Sequence, residues 1–126
     1  MRLLTHNYLK SNVKGTENGF PLRIEAQEVV VEESPMDAEL LTNLLPKLEY
    51  SAIVSAVDQV SDKLETKPQI PESLPEGDID TATLEALHHV LFDIHIVEGD
   101  LICPGTGRKF PVKQGIPNMI LHEDEL

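Results

Sequence analysis

The hydrophobic period changes twice along this chain, and that limits the fold more than any other feature. Near the start, Leu22-Arg23-Ile24-Glu25-Ala26 alternates apolar with polar, and Val29-Val30-Val31 follows as a β-branched run. Near the end, Ile94 and Ile96 alternate with Asp93 and His95, and short apolar runs recur at Leu101-Ile102-Cys103, Phe110-Pro111-Val112 and Ile116 to Leu121. A period of two is that of a half-buried strand. Between these ends the spacing is helical, through Leu40, Leu41, Leu44, Leu45 and Leu48, then Ile53, Val54, Val57, Val60 and Leu64, then Leu84, Leu87, Val90 and Leu91. Strands at both ends and helices between predict an α+β chain. Residues 1–33 and 93–126 would form one small antiparallel sheet domain, and 34–92 an inserted helical domain.

Local signals set the expected boundaries. Ser34-Pro35, with Asp37 and Glu39 following, reads as a helix start, and Pro46 should end that helix. Asp80-Thr81-Ala82-Thr83 can cap another. Pro68, Pro71 and Pro75 make Thr66 to Gly77 a linker, because a proline ring fixes φ and donates no hydrogen bond. Thr16 to Gly19, Glu98-Gly99-Asp100, Pro104 to Gly107 and Lys113-Gln114-Gly115 read as turns. The acidic tail from His122 to Leu126 is expected to fray.

Composition excludes several classes. One cysteine in 126 residues builds neither a disulfide framework nor a multi-cysteine zinc site. No apolar run is long enough to cross a membrane, and the polar turn after Leu3-Leu4 gives no secretory signal. The last four residues look like a retrieval tetrapeptide, which acts only on proteins already in the lumen, so the likeness is read as coincidence. The net charge is −12, and 18 acids against three bases fall between residues 25 and 100. Broad nucleic-acid binding needs a basic face, which this balance opposes. The acidic middle reads as a solvated surface that keeps the chain soluble.

Little here points to catalysis. Cys103 precedes a Pro-Gly-Thr-Gly turn shaped like half a zinc knuckle, but Thr106 stands where a second thiolate would be needed. As a nucleophile it would need a base at recognisable spacing, and none is supplied, so a buried structural thiol is expected. His88 and His89 point about 100° apart on a helix and do not converge on one metal. The glycines form no phosphate-binding or dinucleotide pattern, and no G-x-S-x-G or H-E-x-x-H occurs. The run Ile116-Pro117-Asn118-Met119-Ile120-Leu121 is different. Its proline suits an open sheet edge, which is either covered or used by a partner for strand addition.

Four blocks in fixed order carry a resemblance: Met1 to Asn7, Gly19-Phe20-Pro21-Leu22, Glu98 to Pro104, and Gly115 to Leu121. The chain resembles the eukaryotic small activator subunit shared by several S-adenosylmethionine-dependent methyltransferases, over essentially its whole length. The resemblance implies a zinc-ribbon-like sheet domain from both chain ends with the helical domain inserted. It implies a non-catalytic protein that binds methyltransferases of tRNA, small-subunit rRNA and the class I release factor as mutually exclusive heterodimers, in cytoplasm and nucleus. S-adenosylmethionine would belong to the partner, and this chain would hold no cofactor. Some members hold zinc with four cysteines; the matching positions are Ser11, Thr16, Cys103 and Thr106, so zinc is not expected. Partner contacts map to Ile116, Pro117, Asn118, Met119, Ile120 and Leu121, with Leu3, Thr5, Asn7, Phe20 and Pro21 beside them. Met119 is expected to matter most, since a thioether repacks against different surfaces. Arg108, Lys109 and Lys113 are candidate RNA contacts. Two other readings compete: a stand-alone RNA-binding ribbon, opposed by the charge and by 4% aromatic content, and a small cysteine enzyme.

Overall fold

In the computed structural model, which describes all 126 residues, four strands form one antiparallel sheet in the order β1-β2-β3-β4. These are β1 Arg23–Val31, β2 Ile94–Ile102, β3 Lys109–Lys113 and β4 Ile116–Pro117. A short helix, α1 Leu3–His6, precedes β1, and three helices join β1 to β2: α2 Ala38–Leu44, α3 Tyr50–Val60 and α4 Thr81–His88. The mixed α and β architecture is the expected one.

The caps explain the helix starts. The Asp37 carboxylate accepts the Leu40 N–H at 3.0 Å, and Asp80 accepts the Thr83 N–H at 3.3 Å, each relieving a donor that has no partner inside its helix. At α3 the cap comes from far away. The Asn7 amide accepts the Glu49 N–H at 3.0 Å and donates to the Glu49 carbonyl at 2.9 Å, tying the beginning of the chain to the helices. Pro46 falls in the 3₁₀ turn Leu45–Lys47 that closes α2. The proline-rich segment forms no helix or strand, and the Tyr50 hydroxyl fastens it by donating to the Pro71 carbonyl at 2.6 Å.

One hydrophobic cluster joins the two zones. Leu41, Leu45, Ile53, Val57, Val60, Leu87 and Leu91 from the helices meet Ile24, Ile94, Ile96, Leu101, Phe110 and Val112 from the sheet. Phe110 is 1% exposed. Complete burial of such side chains contributes about 2 kcal/mol or more each, before chain entropy is subtracted.

Four sequence expectations are corrected. Met1 to Asn7, within the half expected to form sheet, is not strand: residues 3–6 are helical, and only Arg2 bridges β2, opposite His95, through Met1 donating to and accepting from Ile96. Glu98-Gly99-Asp100 is no turn but the middle of β2. Gly99 pairs with Ala26 on one side and Val112 on the other, and a Cβ there would come 2.5 Å from the Glu25 carbonyl oxygen. Glycine serves close strand approach beside the β1 bulge, a role that looks like a turn signal in sequence. The last strand is two residues long rather than six. Pro117 has no N–H, and Asn118 bends the chain by accepting the Ile120 N–H on its side-chain oxygen at 3.1 Å. The tail does not fray: Glu123–Glu125 forms a 3₁₀ turn held by Arg108.

Candidate functional site

Two constellations of reactive residue types turn inward, and one apolar edge turns outward. The first lies where β2 ends. The Cys103 N–H donates to the Arg108 carbonyl, and the Gly107 N–H donates to the Cys103 carbonyl, both at 2.9 Å, closing the knuckle. The thiol is 2% exposed. Its sulfur accepts the Thr106 N–H at 3.4 Å and lies 3.4 Å from the Thr16 hydroxyl. Ser11 reaches it because the loop folds back on itself. The Ser11 N–H donates to the Gly19 carbonyl at 2.9 Å, and a Cβ on Gly19 would lie 2.0 Å from the Ser11 carbonyl oxygen. Burial pushes the thiol pKa up, but hydrogen bonds from the Ser11, Thr106 and Thr16 hydroxyls and the Thr106 N–H outweigh it and bring the pKa down to about 6.

The structure thus brings Ser11, Thr16, Cys103 and Thr106 together around one point. The set is one cysteine sulfur and three aliphatic hydroxyls. Zinc is held by thiolate, imidazole or carboxylate, so these residues do not fit it. They fit a buried, hydrogen-bonded sulfur that packs the knuckle shut.

The second constellation has the residue types of a hydrolytic triad but not its geometry. The Ser34 hydroxyl donates to Asp93 Oδ1 at 2.7 Å, so the carboxylate and not an imidazole holds its proton. His88 Nε2 lies 3.2 Å from the same hydroxyl and 3.7 Å from the same carboxylate oxygen, so base and carboxylate share one side. In a working triad the carboxylate orients the opposite ring nitrogen. Asp93 also accepts the Ser34 N–H at 3.0 Å and contacts His89 Nδ1 at 3.0 Å. Burial raises its pKa, but the bonds from Ser34 and His89 and the charge of His88 more than offset that. This group pins the end of α4 to the chain leaving β1.

The edge faces outward. Pro111, Lys113 and Ile116–Ile120 line a groove of about 600 Å³. Ile116 is 68% exposed and Ile120 77%, while Met119 and Leu121 pack partly against the core. The outward weight therefore rests on the two isoleucines, and Met119 anchors the segment from beneath. Of the other residues assigned to partner contact, Leu3 is buried in the core and Asn7 is committed to Glu49, so neither is free to meet a partner. Thr5 and Pro21 are exposed, and Phe20 is half-buried. Of the candidate RNA contacts, Arg108 is paired with Glu125 and Lys109 stands 3.6 Å from Glu25, leaving Lys113 on the groove without an acidic partner.

Sequence reasoning missed the prominence of Ile116 and Ile120. Their i, i+4 relation across a proline gives no strand-face signal, since neither alternation nor a helix survives there.

A sheet whose last, two-residue strand and the residues just after it expose Ile116 and Ile120 beside a groove defines a small α+β protein with an exposed apolar edge. Residues 2–115 match the family described as Trm112p-like protein, and the chain belongs to that family. It is 43% identical over 129 residues to the multifunctional methyltransferase subunit TRM112 homolog A of Arabidopsis thaliana, covering all of both chains. It is 40% identical to the TRM112-like methyltransferase subunit of Mus musculus, covering 99% of this chain and 98% of that one. Among solved structures it resembles a chain of the E. cuniculi Mtq2–Trm112 complex, described as responsible for methylation of the eRF1 translation termination factor. The TM-score is 0.56 with 17% identity, over 95% of each chain, a likeness of fold.

Proposed function

We propose that this chain is a non-catalytic activator and stabilising subunit shared by several S-adenosylmethionine-dependent methyltransferases. Its relatives are named as multifunctional methyltransferase subunits, and its fold neighbour comes from a complex with a release-factor methyltransferase. The observation that carries the reading is the exposed Ile116 on the last strand and Ile120 just beyond it, beside the groove. β4 pairs with β3 on one side only, so its other side is open to a strand from a partner. Main-chain pairing is indifferent to sequence, which lets one edge serve several sheets, and the isoleucines add apolar burial to each.

Activation then needs no chemistry from this chain. It binds the folded methyltransferase and not the unfolded one, stabilising it by about 2.7 kcal/mol at a hundredfold excess over the dissociation constant. S-adenosylmethionine stays with the partner. The finer reading has a zinc-ribbon-like half, from residues 1–33 and 93–126, that docks without metal, and a helical insertion, 34–92, that supports it. Substrates are tRNA, small-subunit rRNA and the release factor, which puts the subunit in cytoplasm and nucleus. A shared edge makes the partners mutually exclusive. An independent RNA-binding role has less support, because Glu125 and Glu25 already engage Arg108 and Lys109.

A tagged pull-down from native cells, read by mass spectrometry, tests this. Several methyltransferases at about 1:1, never two on one copy, would support it. Recovery of the chain alone, or with RNA only, would refute it.

A further inference from the structure

The docking segment is held by an unusual device. After Asn118 donates to the Pro111 carbonyl at 2.9 Å, no ladder bond continues the strand. The next tie to the body of the protein is the Arg108 guanidinium, whose Nη2 donates to the Ile120 carbonyl at 3.4 Å. That guanidinium is itself fixed on every side. Nε donates to Glu125 Oε2 at 2.7 Å and Nη2 to Glu125 Oε1 at 2.9 Å, a two-pronged pair. Nη1 donates to the Lys109 carbonyl at 2.6 Å, and the plane lies 4.6 Å over the centre of the buried Phe110 ring. Glu125 is fixed in turn: its carboxylate accepts the His122 N–H at 3.0 Å, and its carbonyl accepts the Lys14 N–H at 2.7 Å. One residue therefore joins three parts: its carbonyl holds the 11–19 loop, and its carboxylate holds the knuckle and the docking segment.

We propose that Glu125 is a positioning residue for partner binding, acting through Arg108 to hold the Ile120 backbone so that Ile116 and Ile120 face outward. The device replaces the missing ladder. A two-residue strand leaves Met119 to His122 held only by partial packing of Met119 and Leu121 on the core, and a loosely held segment must be ordered at the moment of binding, which weakens affinity. A side-chain clasp orders it in advance on the Ile120 side while leaving the Met119 and Leu121 backbone groups open to a partner strand. This inference rests on the activator reading above.

The test uses the full chain as Glu125→Gln, and as Arg108→Glu with Glu125→Arg. Amide exchange over residues 119–122 is read on the free protein, and affinity is read with a purified catalytic partner recovered in the pull-down. Glu125→Gln should speed exchange across 119–122 and weaken binding about tenfold, with thermal unfolding nearly unchanged. The reversed pair should recover neither, because a carboxylate at 108 has no N–H for the Ile120 carbonyl, and recovery would overturn the route through Arg108. Unchanged affinity in Glu125→Gln, with wild type binding normally, would overturn the positioning role, as would a loss matched by general unfolding. Failure of wild type to bind any methyltransferase would instead strike the activator reading itself.

Discussion

The Cys103 cage and the Ile116–Leu121 edge are both built from the two chain ends, yet they are opposite solutions. In the cage a cysteine is buried, its sulfur meets the Thr16 hydroxyl and the Thr106 N–H, and a glycine lets two backbone segments touch. At the edge, regular pairing stops after two residues, apolar side chains stand in solvent, and a single guanidinium supplies the long-range polar tie. The contrast shows how one small protein can be rigid and adaptable together. Buried, satisfied polar groups fix one shape, because leaving any of them unpaired is costly. A sparsely bonded surface keeps affinity for several partners.

Breaking the cage should therefore cost stability, and breaking the edge should cost binding. The largest effect is expected from Gly19→Ala. A methyl group cannot occupy a place 2.0 Å from the Ser11 carbonyl oxygen, so the loop must open, at about 3 kcal/mol in denaturant unfolding. Cys103→Ala should cost about 2 kcal/mol, because the Thr16 hydroxyl and the Thr106 N–H lose their shared partner in a buried place. A surviving folded fraction of either variant should still bind its partner. Added zinc or a chelator should leave wild-type unfolding unchanged, since the donor set does not suit the metal. Ile116→Asp with Ile120→Asp should do the reverse, shifting stability by less than about 0.5 kcal/mol while removing partner binding.

The smallest effect is on pH dependence. Arg108 and then the His122 N–H hold the Glu125 carboxyl down at about 2, against an ordinary value of 4.5. Between those values the unfolded chain binds the extra proton, so the clasp's contribution is complete above 4.5 and is lost as pH falls toward 2. Acid unfolding of Glu125→Gln should lack that component, and an identical acid limb in both proteins would show that the clasp adds nothing.

Much of the frame was legible because local chemistry and tertiary structure agree there. Asp80 caps the helix its spacing announces, and Val29-Val30-Val31 lies in β1; α2 starts at Ala38 on an Asp37 cap, three residues after the expected start at Pro35, because Ser34 bonds Asp93 instead. The misreadings fall where a distant group overrides a local signal. Gly99 looks like a turn until the bulged neighbour strand is placed against it. His122 to Leu126 looks like a solvated acidic tail until Arg108, 17 residues before Glu125, reaches it. The cage was visible only as four positions suggested by resemblance, and spacing alone could not have brought Ser11 to Cys103. At the edge, the residues were found but their orientation was not. Met119 drew attention as a flexible side chain, while Asn118 turns Ile120 outward in its place.

The most direct test is a binding titration of wild type and Ile116→Asp/Ile120→Asp against the same purified methyltransferase. Tight 1:1 binding by wild type and none by the folded double variant is the predicted result. Equal affinity of the two proteins would contradict the claim that this edge is where the partner docks.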